Sequence, residues 1–454
     1  MFKLPFLAVI GISLSVFSSA YADDFDKNWP QFRGPTGNGI AIDANPPIKW
    51  SGDSAKWKSA VPGKGSASPI VWGDKIFVLT AVETDRQKEG AEAKPENAAE
   101  QETPQRGGRR RGGGRMSRAA PKNYYQFNVV CIDRKDGKEL WTTTVNEAVP
   151  HEGGHPTNSY ASGSPVTDGE HIWVSFNSFG LYCLDMDGNV KWDRQFGKMT
   201  TRAGFGEGAS PAIHENTLVL NWDHEGQSFI EAMDATTGET IWKKDRDEAT
   251  SWSTPVIVEH QGQVQVITNG AKRVRSYVLA DGKLIWECGG QTGNPIPTPM
   301  VLDDMVICMT GFRSNAAFGI PLDSKGDITG TDKITWSRKD IGPYVPTGVL
   351  YKGNIYSTKG SSAVLTSIDA KTGETVIDES RLDGIRTMYA SMVAANDYIY
   401  VTGREGTTIV LKHGKQMDIV EANELGEPVD ATPAIVGNQI FIRSDKNLYC
   451  FENE

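Results

Sequence analysis

The chain is short of most features that make an enzyme recognisable. Its 454 residues hold five cysteines, Cys131, Cys183, Cys288, Cys308 and Cys450, none adjacent and none in a C-x-x-C pair. That excludes a thioredoxin-like redox motif, and without C-x-x-C-H there is no covalent haem attachment. G-x-S-x-G does not occur as a strand-to-helix elbow, so that nucleophile is missing too. Positive charge is in deficit: 47 Lys and Arg face 57 Asp and Glu, a formal net charge of −10. A chain of that sign is not a general nucleic-acid binder. No apolar run after the N-terminus is long enough for a spanning helix, so no transmembrane segment is expected in the mature chain.

The first 22 residues read as a signal peptide. Lys3 supplies a positive start, Leu4 to Phe17 an apolar stretch, and Ala20-Tyr21-Ala22 a small-x-small cleavage site. The mature chain is expected to begin at Asp23 as an exported protein, periplasmic or secreted. An odd cysteine count in an exported chain asks for explanation. Cys131 (VVCID), Cys183 (LYCLD) and Cys450 (LYCFE) share one position on an apolar strand. They are expected to be buried small hydrophobes and not disulfides.

What is present is repetition. A Ser/Thr-Pro-like step, an apolar strand and a polar turn recur eight times, at Ser68-Pro69, Ser164-Pro165, Ser210-Pro211, Thr254-Pro255, Thr298-Pro299, Thr347-Gly348, Ser391-Met392 and Thr432-Pro433. After the first gap the spacings run 46, 44, 44, 49, 44 and 41 residues. A period of roughly 40–45 residues is that of a four-stranded propeller blade. Within each repeat, short β-branched runs alternate with Gly, Asp and Asn, the chemistry of strands and hairpins. The turn between the third and fourth strands is the most regular: Asp136-Gly137-Lys138, Asp187-Gly188-Asn189, Thr237-Gly238-Glu239, Asp281-Gly282-Lys283 and Thr372-Gly373-Glu374. The strand after it carries Trp141, Trp192, Trp242, Trp286 or Trp336, with Ile377 in the sixth repeat. A ring recurring on the outer strand is expected to pack against the next blade.

The last repeat stops at Cys450-Phe451 without a fourth strand, whereas the N-terminal segment holds an orphan strand, Lys56-Trp57-Lys58. If the orphan completes the last blade, the ring closes and leaves no unpaired edge. The expected fold is all-β: an eight-bladed propeller of four-stranded antiparallel blades, one domain over 23–454. Seven blades is the competing count, because the seventh repeat lacks both the Trp and the usual turn.

The repeats AMDATTGETIW (232–242) and SIDAKTGETVI (367–377) resemble the PQQ-type propeller repeat. Its members include quinoprotein alcohol dehydrogenases and the outer-membrane assembly scaffold lipoprotein of the BAM complex. NWPQFRGPTGNGIA and ELGEPVDATPAI also resemble secreted PQQ-like propeller proteins. The resemblance implies the fold for nearly the whole mature chain and leaves two functions open. One is a non-catalytic binding or scaffold propeller for a protein or polysaccharide of the cell envelope. The alternative is a PQQ- or metal-dependent oxidoreductase with its site in the central channel. The dehydrogenases' adjacent cysteines are absent, so PQQ with calcium is disfavoured and no catalytic residue, cofactor or metal site is assigned.

Residues 82–122 interrupt the first repeat and lack apolar periodicity. Seven acids and three bases occupy 83–102, then seven bases and no acids 103–122. Such composition is expected to be a disordered insertion.

Repeat phase also assigns loops to faces. Loops from a fourth strand to the next first strand share a face with those joining strands two and three. That face collects His155, Asn158, Tyr160, Phe205, Trp252, Tyr344 and Tyr389 from the first kind, and Asp223, His224 and Arg313 from the second. A channel mouth lined by aromatic and polar groups is the expected partner or ligand face. His151 and His155 lie in a Gly/Pro-rich loop where a four-residue spacing aligns nothing. Asp185-Met186-Asp187-Gly188 starts like a calcium loop but lacks its downstream Glu.

Overall fold

The computed structural model describes residues 25–88 and 117–453; the expected signal peptide and residues 89–116 of the expected insertion lie outside them. Eight sheets form, and each strand meander runs antiparallel within its blade. Blades one to seven occupy 70–148, 166–194, 212–246, 256–289, 300–338, 349–381 and 393–424. Blade eight joins 434–452 to the N-terminal strand Trp57–Ala60, with Trp57 opposite Cys450 and Ala60 opposite Asn447. The ring therefore has eight blades and closes as the orphan strand required. Among the described residues helix is confined to three 3-10 turns and the two helical residues Phe25 and Asp26.

The outer seams explain the Trp and Gly periodicity together. Each Gly of the regular turn has positive φ, and a Cβ there would meet the preceding blade's indole: Gly188 at 2.8 Å from Trp141, Gly238 at 2.8 Å from Trp192, Gly282 at 2.5 Å from Trp242. Each indole N–H then donates to a backbone carbonyl of that next blade: Trp141 to Met186 (3.2 Å), Trp192 to Ala235 (3.0 Å), Trp242 to Leu279 (2.6 Å), Trp336 to Ala370 (2.9 Å). Trp57 does the same to Arg134, at 3.0 Å, across the closure. An indole buries roughly 150–250 Å², about 4–6 kcal/mol as area removed from water. The residue opposite each indole on the third strand is small: Cys131, Cys183, Ala232, Gly319 and Cys450. Those three cysteines are buried and unpaired, as are Cys288 and Cys308 on other strands.

Blade seven lacks its own Trp, and the N-terminal segment supplies one. Trp50 stacks between Tyr400 and Phe451, with centroids 6.2 and 5.3 Å away. Its backbone N–H reaches Asn423 Oδ1 at 2.6 Å.

The Ser/Thr of each repeated step has its own role. The N–H of Ser68 donates to Ser164 Oγ (2.9 Å), Ser164 to Ser210 (2.9 Å) and Ser210 to Thr254 (3.3 Å). The series continues from Thr298 to Thr347 (3.0 Å), Thr347 to Ser391 (3.0 Å) and Ser391 to Thr432 (2.9 Å). Ser68 Oγ completes it by donating to the Thr432 carbonyl at 2.8 Å. A belt of hydroxyls thus links innermost strands around the channel, satisfying buried N–H groups that no ladder reaches.

One seam departs from both patterns. Between blades four and five the Thr298 hydroxyl is buried without a partner, and so is the Trp286 indole N–H. Blade five has no regular turn for Trp286 to cover. In its place the strand Gly326–Asp327 pairs parallel to Trp286 and Glu287. Ile328 and Leu322 are buried there, and Arg273 bridges Glu287 (3.0 Å) and Asp327 (2.8 Å).

Residues 29–41 cross the channel. Trp29 pairs with Val71 of blade one, and the Thr167 N–H of blade two donates to Pro30 O at 2.9 Å. Arg33, fully buried, donates to Gly37, Asn38 and Gly348 carbonyls; Asn38 bonds Val301 of blade five, and Ile40 meets Ala394 of blade seven. Burial pushes the Arg33 guanidinium down to about 9.

The expected disorder of 82–122 is corrected at its ends. The strand Lys75–Gln87 runs through 82–87 against Asn123–Asp133, with Glu83 opposite Tyr125. Arg118 is tied by its N–H to Gly154 O at 2.8 Å.

Candidate functional site

A cavity of about 300 Å³ opens at the channel mouth. The loop after blade one brings His155 and Asn158, the loop after blade two Phe205, and those after blades three, five and six bring Trp252, Tyr344 and Tyr389. These six converge as the repeat phase anticipated. Phe32, from the segment crossing the channel, lines the cavity as well. Hydroxyls of the inner belt, including Ser164, Ser210, Thr254 and Thr347, line it beneath the loops.

The loops are held by backbone-directed side chains, which keeps the wall rigid. Asn158 Nδ2 donates to Phe205 O (2.9 Å) and Glu207 O (3.2 Å), and Trp252 Nε1 to Gly206 O (2.6 Å). His155 Nδ1 lies 2.7 Å from Thr157 Oγ1, which is 3.2 Å from the Tyr389 hydroxyl. Burial, with the charges of Arg404 and Arg118, lowers the His155 pKa, favouring neutral imidazole. Phe312 packs on Tyr344 at 5.1 Å, and burial raises the Tyr344 hydroxyl.

Two carboxyls share the wall. Burial pushes Glu207 up to about 7, although the Ser178 N–H and hydroxyl both donate to it. Asp430 is raised by burial and opposed by Arg404, which grips both its oxygens at 2.6 and 3.0 Å. Arg404 also lies 4.1 Å over the Tyr389 ring.

Four of the ten expected residues are elsewhere. Asp223 forms a fully buried pair with Arg246, at 2.7 and 2.9 Å, within blade three. His224 is buried too, its Nδ1 accepting from the Thr200 and Gly226 N–H groups. Tyr160 lines a much smaller neighbouring cleft and donates to Glu152 O at 3.0 Å. Arg313 is exposed beside the mouth, 5.0 Å over Phe312. Glu207, Phe312 and Asp430 were absent from the expectation, although their loops belong to the same phase. Phe32 lies outside the repeat, where phase says nothing.

The family model for the outer membrane protein assembly factor BamB matches residues 126–379, more than half of the chain. The chain belongs to the BamB family. BamB of Yersinia pestis is 24% identical over 300 residues, covering 61% of this chain and 67% of that protein. BamB from Moraxella catarrhalis is a structural relative at TM-score 0.51 and 13% identity, over 74% of this chain and 93% of that one. The quinohemoprotein alcohol dehydrogenase from Comamonas testosteroni superposes at TM-score 0.60 and 10% identity, over 96% and 84%. At such identities both structures speak for the fold alone.

The dehydrogenase likeness raises a quinone cofactor, which the BamB-family cavity does not suit. PQQ carries three carboxylates, whereas the wall has no Lys or Arg and two acids, Glu207 and Asp430. Among the described residues no group of three or more His, Cys, Asp or Glu could hold a metal ion. Among them, also, no helix is long and apolar enough to cross a membrane.

Proposed function

We propose that the protein is a non-catalytic scaffold that holds a partner of the cell envelope on the face bearing the cavity. The single observation that carries this is the cavity itself: aromatic side chains from five loops and the crossing segment converge on one pocket. Such a surface anchors a partner by burying aromatic area at one point. Among the described residues the outer rim offers no equivalent, because its exposed apolar residues Leu140, Val190, Ile241, Leu284, Ile419 and Val420 are distributed over five blades. Membership of the BamB family favours a protein as the partner. The residues assigned to the binding face are His155, Asn158, Phe205, Trp252, Tyr344 and Tyr389. Export by cleavage after Ala22, to periplasm or medium, belongs to the same reading, and the mass of the mature protein checks it.

Site-specific photocrosslinking tests the proposal. A photoreactive phenylalanine analogue at position 389 should give a discrete protein adduct in intact cells. The same analogue at position 190, on the outer rim, should give none. Equal adduct patterns from both positions, or none from position 389, would overturn the scaffold reading.

A further inference from the structure

The charges around the cavity are layered. Deep acids are already engaged: Asp430 by Arg404, and Glu207 by the Ser178 hydroxyl and N–H. The mouth is different. Arg118, Arg202 and Arg313 are all exposed there. Arg118 Nη2 donates to the Asn158 carbonyl at 2.8 Å. Arg202 reaches the loop before blade five: a Cβ on Gly293 would sit 3.1 Å from its Nη1 and 4.0 Å from Phe312. Arg313 stacks over Phe312 from the other loop. Elsewhere Arg246, Arg273, Arg275, Arg338 and Arg404 have carboxylate partners, whereas Arg381 and Arg386, near the loop after blade six, show none. Among the described residues, Arg118, Arg202 and Arg313 have none.

Three unpaired guanidinium groups at one aromatic mouth run against a chain of net charge −10. Arginine presents a planar fork suited to carboxylates and stacks on aromatic faces. Phe32 from the segment that crosses the channel lines the cavity, so a side chain entering from the mouth meets that segment. At about 300 Å³ the cavity is at the lower end of ligand-pocket sizes, enough for one aromatic side chain.

We infer that the mouth captures an acidic peptide segment of a partner protein, inserting one aromatic side chain while its carboxylates pair with Arg118, Arg202 and Arg313. This rests on the scaffold reading and names the chemistry of its partner. The aromatic anchor supplies most of the affinity, and the arginines supply sign selectivity and salt dependence.

Fluorescence polarisation with labelled peptides tests it on the mature protein. The probes are a tryptophan flanked by Glu and Asp on both sides, and the same peptide with Lys in place of every acid. The acidic peptide should bind about tenfold or more tightly than its basic counterpart, and salt should weaken it. The triple variant R118Q/R202Q/R313Q should lose about tenfold in affinity and flatten the salt dependence, with unchanged thermal unfolding. W252A should abolish saturable binding of the acidic peptide. Equal binding of the two peptides, or wild-type affinity in a folded triple variant, would overturn the inference. So would polygalacturonate binding more tightly than the peptide and displacing it. Adducts from position 389 that persist unchanged in the triple variant would leave the scaffold standing while removing this inference.

Discussion

The seam between blades two and three and the seam between blades four and five solve one problem differently. In the first, Trp192 covers Gly238, its N–H bonds Ala235, and the Ser164 N–H meets the Ser210 hydroxyl near the axis. In the second, the Trp286 N–H and the Thr298 hydroxyl are both unpartnered, and a two-residue parallel strand with an Arg273 bridge stands in. Trp286 is nevertheless fully buried. Burial of apolar area is therefore what every seam keeps, and the hydrogen bonds at its edges are exchangeable. A repeat can lose its signature turn and still join its neighbour.

Substitutions should separate the two seams, the largest effect coming from glycine. Gly238→Ala places a methyl 2.8 Å from the Trp192 ring at φ +74, which should cost about 3 kcal/mol or more in urea unfolding. Gly326 has nearly the same φ, +71, but open space around it, so Gly326→Ala should cost only about 1 kcal/mol. Equal costs would mean that backbone strain, not indole contact, defines the regular turn.

The hydroxyl belt offers the next contrast. Thr347→Val strands the buried Thr298 N–H and should cost about 1–3 kcal/mol. Thr298→Val removes a hydroxyl that has no partner and should be neutral within about 0.5 kcal/mol. Similar losses in both would show that the belt acts through packing alone.

A smaller difference should appear at the indoles. Trp242→Phe gives up the 2.6 Å bond to Leu279, whereas Trp286→Phe gives up no bond. The first should be worse by about 1 kcal/mol, read by paired thermal melts.

The smallest effect is one of pH. Asp327 is held below its ordinary 3.8 by hydrogen bonds from Thr329 and Arg273. A depressed folded pKa contributes stability that is present above the unfolded value and lost as pH falls through the folded one. Acidification below about pH 4 should thus raise hydrogen exchange along Leu284–Gly289 before it does so along Thr375–Arg381. Loss of protection in the reverse order would refute the assignment of that bridge to the irregular seam.

Periodic features were legible because repetition turns one weak signal into several equal ones. The TGET turn, the Trp after it and the orphan Trp57 strand each found its place. The repeated Ser/Thr was visible as spacing, but its partner lies in the next blade, and no local pattern announces a bond spanning 41 to 96 residues. At the site, phase located His155, Asn158, Phe205, Trp252, Tyr344 and Tyr389, because a loop's face follows from its order in the blade. It could not tell a residue at the loop tip from one at its base. Asp223 and His224 sit where blade three's strand is still ending, so Arg246 and backbone amides claim them. Phe32 belongs to a segment that obeys no repeat.

The strand shared between the chain's two ends sets a timetable. Trp57 is made nearly four hundred residues before its partner Cys450. Throughout synthesis the first-made strand waits with both edges bare, and the ring stays an open arc. An arc with one orphan strand and one vacancy is complementary to itself, head to tail. Slow completion should therefore produce chains of molecules joined end to end, each lending its first strand to the next.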